Sequence, residues 1–450
     1  MMTRHFDLFV AAMFVVMFAV PLASAAQQDS SQAQAVAGRQ VYEGPPLSLQ
    51  AALDEALARN PELIALRARF EAARHRPAQE RSLAAPTFEA QIWQWPLSTL
   101  NPAKVNMYMF TAMQDIPDRG KRALRAAVAE KDLQLAEADI AVEAREVIDM
   151  VKRTYAELFL SRKAIEVNRD SLDLLRQFAD IASVKYTTGR SSQQETMKAI
   201  VEISWLHDDL VMLDQRAALA EARLNTLLDR RPEAPIGPLA ESRERVLLPA
   251  AADLQRLALE QQPELRAAAL GVERSAAALA VATRDYRPDF FAGGGYMLLP
   301  RETDAWTITA GITWPSAPWA RGRLDAKKAE ATADVEAARA RQRTVENAIR
   351  HAVQAAYIRV KSAEQRASLL RTTIIPQSRQ TLEVARVGYQ SDHVDFLALL
   401  EDQRTLLDAQ LEYYRALSEL EQALAGLERA MGADITPQMS RLIDTREVTK

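Results

Sequence analysis

The sequence predicts a mainly α-helical protein with a small β part, built as two copies of one unit: helix, strand, strand, long helix, return helix. Three observations carry this. First, the chain from Gly120 to Thr188 has no proline and no second glycine, so about 66 residues can form one helix roughly 100 Å long. A second such helix runs from about Arg323 to Val387, broken only by Pro376. Second, motifs recur in register. Gln262-Pro263-Glu264-Leu265 repeats Asn60-Pro61-Glu62-Leu63, Pro288-Asp289-Phe290 repeats Pro86-Thr87-Phe88, and Arg321-Gly322-Arg323 repeats Arg119-Gly120-Lys121, each 202 residues on. Tyr389 answers Tyr186 and Leu427 answers Leu224 at 203, so the spacing grows by one residue. A repeat held across helices, strands and a hairpin governs the fold. Third, four short strand-like runs interrupt the helices.

Composition agrees with long helices. Glycine is scarce at 14 of 450 residues, and the charge of −4 offers no field to attract nucleic acid. The absence of cysteine excludes disulfides, thiolate metal sites, a cysteine nucleophile and a lipid anchor on an N-terminal cysteine.

In chain order, Arg4 and His5 precede an apolar run from Phe6 to Leu22 and the small residues Ala23-Ser24-Ala25, the pattern of an export signal over 1–25. A polar leader follows over 26–46. No later segment is long and apolar enough for a membrane-spanning helix. Repeat 1 covers 47–230. Ser48 is placed to cap a short helix ending near Arg59, and Asn60-Pro61 restarts one that fades at Ser82. Strands are expected over 88–97 and 105–116, the long helix over 120–186 and the return helix over 193–228. Heptad spacing shows at Val151, Leu158, Ile165, Leu172 and Ala179. The return helix carries a seam at Ile203, Leu206, Leu210, Leu213, Ala217, Ala220, Leu224 and Leu227, so the two helices form an antiparallel hairpin. A proline-rich linker over 231–250 leads to repeat 2 over 251–431. Its strands are expected at 290–299 and 306–314, its long helix at 323–387 and its return helix at 394–430, before a tail over 432–450.

The strands need a reason. Trp306, Ile308, Ala310, Ile312 and Trp314 alternate with Thr307, Thr309, Gly311 and Thr313. One face is apolar and ends in tryptophan on both sides, which is the lipid-facing pattern of a transmembrane β-barrel strand. Four strands cannot close a barrel, and open strand edges do not survive in hydrocarbon. Several copies must share one barrel, and three copies supply twelve strands. The hairpin loops near Asn101 and Arg301 then face outward, and the helices hang on the opposite side. The strand from Val105 has apolar residues on both faces. Its Met107, Met109 and Met113 share one face, read as barrel or lipid packing, with thioether copper handling as the alternative.

Catalytic chemistry is absent from the pattern. His75, His207, His351 and His393 show no ligand spacing, no glycine loop for nucleotide phosphates occurs, and no nucleophile triad is suggested. The chain reads as a non-enzyme without cofactor or resident metal.

The order Gln114-Asp115-Ile116-Pro117, Gly120-Lys121-Arg122 and a hairpin turn after each long helix resembles the TolC-type outer-membrane efflux proteins across about Leu47 to Met431. Gln193 to Ala199, followed by Glu202-Ile203-Ser204, resembles the heavy-metal branch. The resemblance implies a homotrimer with a twelve-stranded β-barrel set on a twelve-helix α-barrel. It implies a passive exit duct in the outer membrane, surrounded by its lipid. The duct docks onto a periplasmic adaptor protein and an inner-membrane pump of the resistance-nodulation-division type. Metal ions or small toxic compounds are the expected cargo. A type I protein-secretion duct is the alternative within the fold, and a soluble periplasmic coiled-coil scaffold the alternative outside it. By the same resemblance Tyr186 and Gly189, with Tyr389 and Asp392 in the second copy, form the periplasmic tip and adaptor-docking turns. Glu195 and Glu401 fall at the pore constriction, whereas Ala398 has lost the matching acid and Val394 stands where some members carry a gate arginine.

Overall fold

The computed structural model describes residues 44–95, 101–240 and 248–435. The expected export signal, most of the leader, and the tail beyond residue 435 lie outside the described residues, as do parts of the first hairpin loop and of the linker. Repeat 1 consists of α1 (Leu49–Arg59), α2 (Pro61–Arg74), α3 (Arg76–Arg81), β1 (Thr87–Trp93), β2 (Met107–Ile116), α4 (Lys121–Thr187) and α5 (Gln193–Leu227). Repeat 2 consists of α6 (Ala251–Gln261), α7 (Pro263–Arg284), β3 (Asp289–Leu298), β4 (Ala305–Thr313), α8 (Arg321–Leu369), α9 (Ile375–Gln390) and α10 (Phe396–Met431).

Local chemistry sets the helix boundaries. The Ser48 hydroxyl accepts from the Ala51 amide at 3.1 Å, and the Asn60 side chain accepts from the amides of Glu62 and Leu63. The helix expected to reach Ser82 breaks instead at His75, because Pro77 falls in the first turn of α3, where a missing amide costs nothing. The strand expected over 88–97 stops at Trp93, where Gln94 takes φ +56 and leaves the extended conformation. The second long helix is divided by a π-helical turn at Leu370–Ile374, which runs directly into α9. Pro376 is the second residue of α9. A proline ring presses on the carbonyl one turn back, and a wider turn relieves that contact.

Packing follows the seams. Val151, Leu158, Ile165 and Leu172 of α4 are buried, together with Leu206, Leu210, Ala217, Ala220 and Leu224 of α5. The helical core is completed by α10, which packs against α4 through Phe396, Leu399 and Leu407. At mid-height the linker is fastened to α4. Tyr155 donates to the Leu47 carbonyl at 2.9 Å and accepts from the Ala240 amide, while Arg162 donates to the Ile236 and Gly237 carbonyls.

The four strands form one antiparallel sheet in the order β1-β2-β3-β4, so β1 and β4 are edges. No helix among the described residues is long and apolar enough to cross a membrane.

Candidate functional site

The strand register assigns every side chain to one of two faces. Trp306, Ile308 and Ile312 on β4 pair with Tyr296, Gly294 and Phe290 on β3, which continue to Phe110, Ala112 and Ile116 on β2 and to Phe88 and Ile92 on β1. This face is apolar and uncovered: Trp306 is 80% exposed and Ile308 89%. Tyr296 stacks obliquely on Trp306 at 5.0 Å at one end of the belt, and Trp314 meets Trp319 at 6.2 Å at the other. An uncovered apolar band flanked by aromatic rings is the surface pattern of a strand that faces a bilayer. The opposite face carries Glu89, Gln91, Thr111, Thr307 and Thr309, and also Met107, Met109 and Met113. The methionines thus share the face of the polar residues, opposite the exposed belt, which leaves barrel packing as their reading.

Sheet and helices meet at a polar junction. Lys121, whose side chain is only 4% exposed, pairs with Asp289 at 2.9 Å and donates to the Arg287 carbonyl at 2.7 Å. Asp289 also accepts from the Asp118 amide, and Arg284 donates to Asp118 at 2.6 Å, which holds the Asp118 carboxyl below its ordinary range. A buried lysine without such partners would be costly. These contacts join the start of α4 in repeat 1 to β3 in repeat 2.

At the far end lie the two helical turns. Gly189 takes φ +70 after α4 and Asp392 takes φ +62 after α9, so both turns use the left-handed conformation that aspartate tolerates better than most residues. The turns are otherwise unlike. Tyr186 is exposed, whereas Tyr389 is 4% exposed and packs on Phe396 at 5.3 Å. The Tyr389 hydroxyl donates to Glu195 at 2.8 Å, and burial together with that carboxylate pushes its pKa up, so it remains a donor. Lys185 ties the turns together. It bonds the Tyr389 carbonyl and the Asp392 carboxylate and lies 4.1 Å from the Tyr389 ring centre. Lys185 holds the Asp392 carboxyl below its ordinary value. One step along the hairpins, Arg404 donates to Glu202 at 3.0 Å. Glu195 is thus engaged in a cross-repeat contact, while Glu401 is exposed and lines a groove with Met197, Lys198 and Val201. The Lys185 link was not foreseen, since position 185 answers Gly388 in the other copy and a repeat comparison hides what only one copy carries.

A membrane belt with open edges, joined to a helical stem far longer than any globular core needs, defines a channel subunit of the β-barrel and α-barrel type. The chain belongs to the outer membrane efflux protein family, whose model matches residues 52–230 and 254–433, one range in each repeat. That family consists of channels, not enzymes. The chain is similar to the cobalt-zinc-cadmium resistance protein CzcC of Cupriavidus metallidurans, 25% identical over 94% of this chain and 99% of the relative. Among solved structures, the outer-membrane channel OprN superposes with a TM-score of 0.73 at 21% identity, covering 86% of this chain and 90% of that one. VceC of Vibrio cholerae gives 0.71 at 19%, covering 86% and 96%, and CusC gives 0.71 at 17%, covering 86% and 92%. These likenesses support the mainly helical fold with its small β part.

Proposed function

We propose that three copies of this chain close a twelve-stranded barrel in the outer membrane and a helical tube beneath it. The trimer is the passive exit duct of a tripartite efflux system. The observation that carries this reading is the pair of free sheet edges. Strands β1 and β4 are antiparallel to each other, so β4 of one copy can pair with β1 of the next and keep the whole ring antiparallel. Closure is the only way such edges satisfy their backbone groups in lipid. The helices repeat the argument. Helix α7 packs on both α4 and α8, whereas α2 and α3 pack on α4 and make no comparable contact with α8. The vacant flank of α8 is where α2 and α3 of the next copy fit.

In this reading the turns at Gly189 and Asp392, with Tyr186 exposed beside them, meet a periplasmic adaptor that couples the duct to an inner-membrane pump of the resistance-nodulation-division type. The likeness to CzcC favours metal ions as cargo over small organic compounds. Glu401, exposed near the tip, forms a three-fold acidic ring that favours cations at a narrow throat, with Glu195 behind it bonded to Tyr389. Detergent-extracted protein should run as a trimer by light scattering and conduct in planar bilayers. Glu401→Gln should lower the cation-to-anion permeability ratio without changing assembly. A soluble monomer found in the periplasmic fraction would overturn the reading.

A further inference from the structure

The methionines of the sheet have no part in the duct as described so far. Their placement is specific. Met109 on β2 stands directly opposite Met297 on β3, and Met107 lies two residues from Met109 on the same face. Directly opposed residues in an antiparallel pair have Cβ atoms about 4.5–5.5 Å apart, within reach of one shared ligand for side chains as long and flexible as methionine. Met113 continues the row over Gly293, where an added Cβ would lie 2.9 Å from its Cγ. Trp93 stands opposite Met107 on the same face of the sheet, its indole N–H donating to Gln91 at 3.0 Å. All four methionines are partly covered, on the side that also carries Thr111 and Thr307 and away from the exposed belt of Trp306 and Ile308. The patch spans the central strand pair, one strand from each repeat, so neither copy of the unit could hold it alone.

We propose that Met109, Met297 and Met107 form a thioether site on the inner barrel wall for a soft monovalent cation of the Cu(I) or Ag(I) type. Thioether sulfur is a soft, neutral ligand that selects such ions and offers little to Zn(II) or Mg(II). Neutral ligands also bind without trapping charge, which suits a way-station on an exit path, where an ion must enter and leave. The indole of Trp93 adds a face that attracts cations. The site rests on the duct reading only for its lumenal position; the facing methionines belong to a single chain.

The test uses the full chain purified in detergent, titrated with silver nitrate in chloride-free buffer and followed by calorimetry and tryptophan fluorescence. Wild type should bind Ag(I) saturably with quenching, and a zinc salt should give neither signal. Met109→Leu with Met297→Leu keeps side-chain volume, so the sheet should fold. This double variant should bind at least about ten-fold more weakly. Met212→Leu, exposed on α5 and far from the sheet, should bind as wild type does. Unchanged silver affinity in the Met109/Met297 variant, or equal binding of zinc at the patch, would overturn the site. Light scattering on the same samples reads the oligomeric state separately. A monomer that still loses silver binding in the double variant would sink the duct and leave the thioether site standing.

Discussion

The two long helices began as one element, and the protein now uses them differently. Helix α4 is continuous for 67 residues and is flanked by its own chain on both sides. Helix α8 is exposed along most of its first thirty residues and passes through a π turn before reaching the tip as α9. Ala138 of α4 is 6% exposed, whereas its counterpart Ala340 on α8 is exposed. Ala126 is fully buried, whereas its counterpart is the exposed Lys328. Hydrophobic pattern alone does not separate the two helices. What separates them is that α4 has intrachain neighbours on both flanks, whereas α8 leaves exposed the flank that the proposed trimer would cover.

That comparison can be broken directly. Ala138→Arg puts a long cation into a filled, intrachain contact and should destabilise the protomer by roughly 3 kcal/mol or more, read as a lowered denaturation midpoint. Ala340→Arg should leave the protomer folded and abolish the trimer on semi-native gels. If both variants behave alike, the assignment of α8 to a neighbour fails.

The turns offer a smaller contrast. Gly189 has open space around it, so Gly189→Val meets no clash and pays only in backbone conformation, about 1–2 kcal/mol at that turn. Trimers should survive while metal resistance falls in a strain that depends on the pump. Full resistance would remove the turn from the docking surface.

Acidity should move the tip least. The Asp392 carboxyl has its pKa lowered by Lys185, so its contribution is complete above the ordinary value of 3.8. It is lost as pH falls through the lowered value in the fold. Amide-exchange protection of the second turn should be flat from neutrality down to about pH 4 and decline below it. Asp392→Asn should remove that decline, and a decline that persists unchanged in the variant would overturn the assignment to this carboxylate.

Much of the fold was legible because it is local or periodic. Ser48 and Asn60 announce helix starts, the heptads place Val151 and Leu158 in the core, and the alternation from Trp306 to Trp314 marks the belt. The break at Pro77 lay in plain sight but inside a strong helical pattern. Other features depend on pairing and could not be read locally. Strand β2 is apolar on both faces, so only its register with β3, and through β3 with Trp306, decides that Phe110 joins the exposed belt and Met109 the opposite face. Lys185 and Asp392 are separated by 207 residues, and nothing near either one signals the other.

The π turn at Leu370–Ile374 resolves an arithmetic puzzle in the duplication. Above it, buried positions correspond at 202 residues: Val151 with Val353, Leu158 with Val360, Ile165 with Ala367. Below it they correspond at 203: Leu175 with Ser378, Ala182 with Ala385. One supernumerary residue in the second copy is taken up in a single swollen coil, so the inward stripe is not rotated out of phase further down. An insertion that would have scrambled a rod is thereby confined to one loop of its spiral, and the lower hairpin inherits the alignment of its twin.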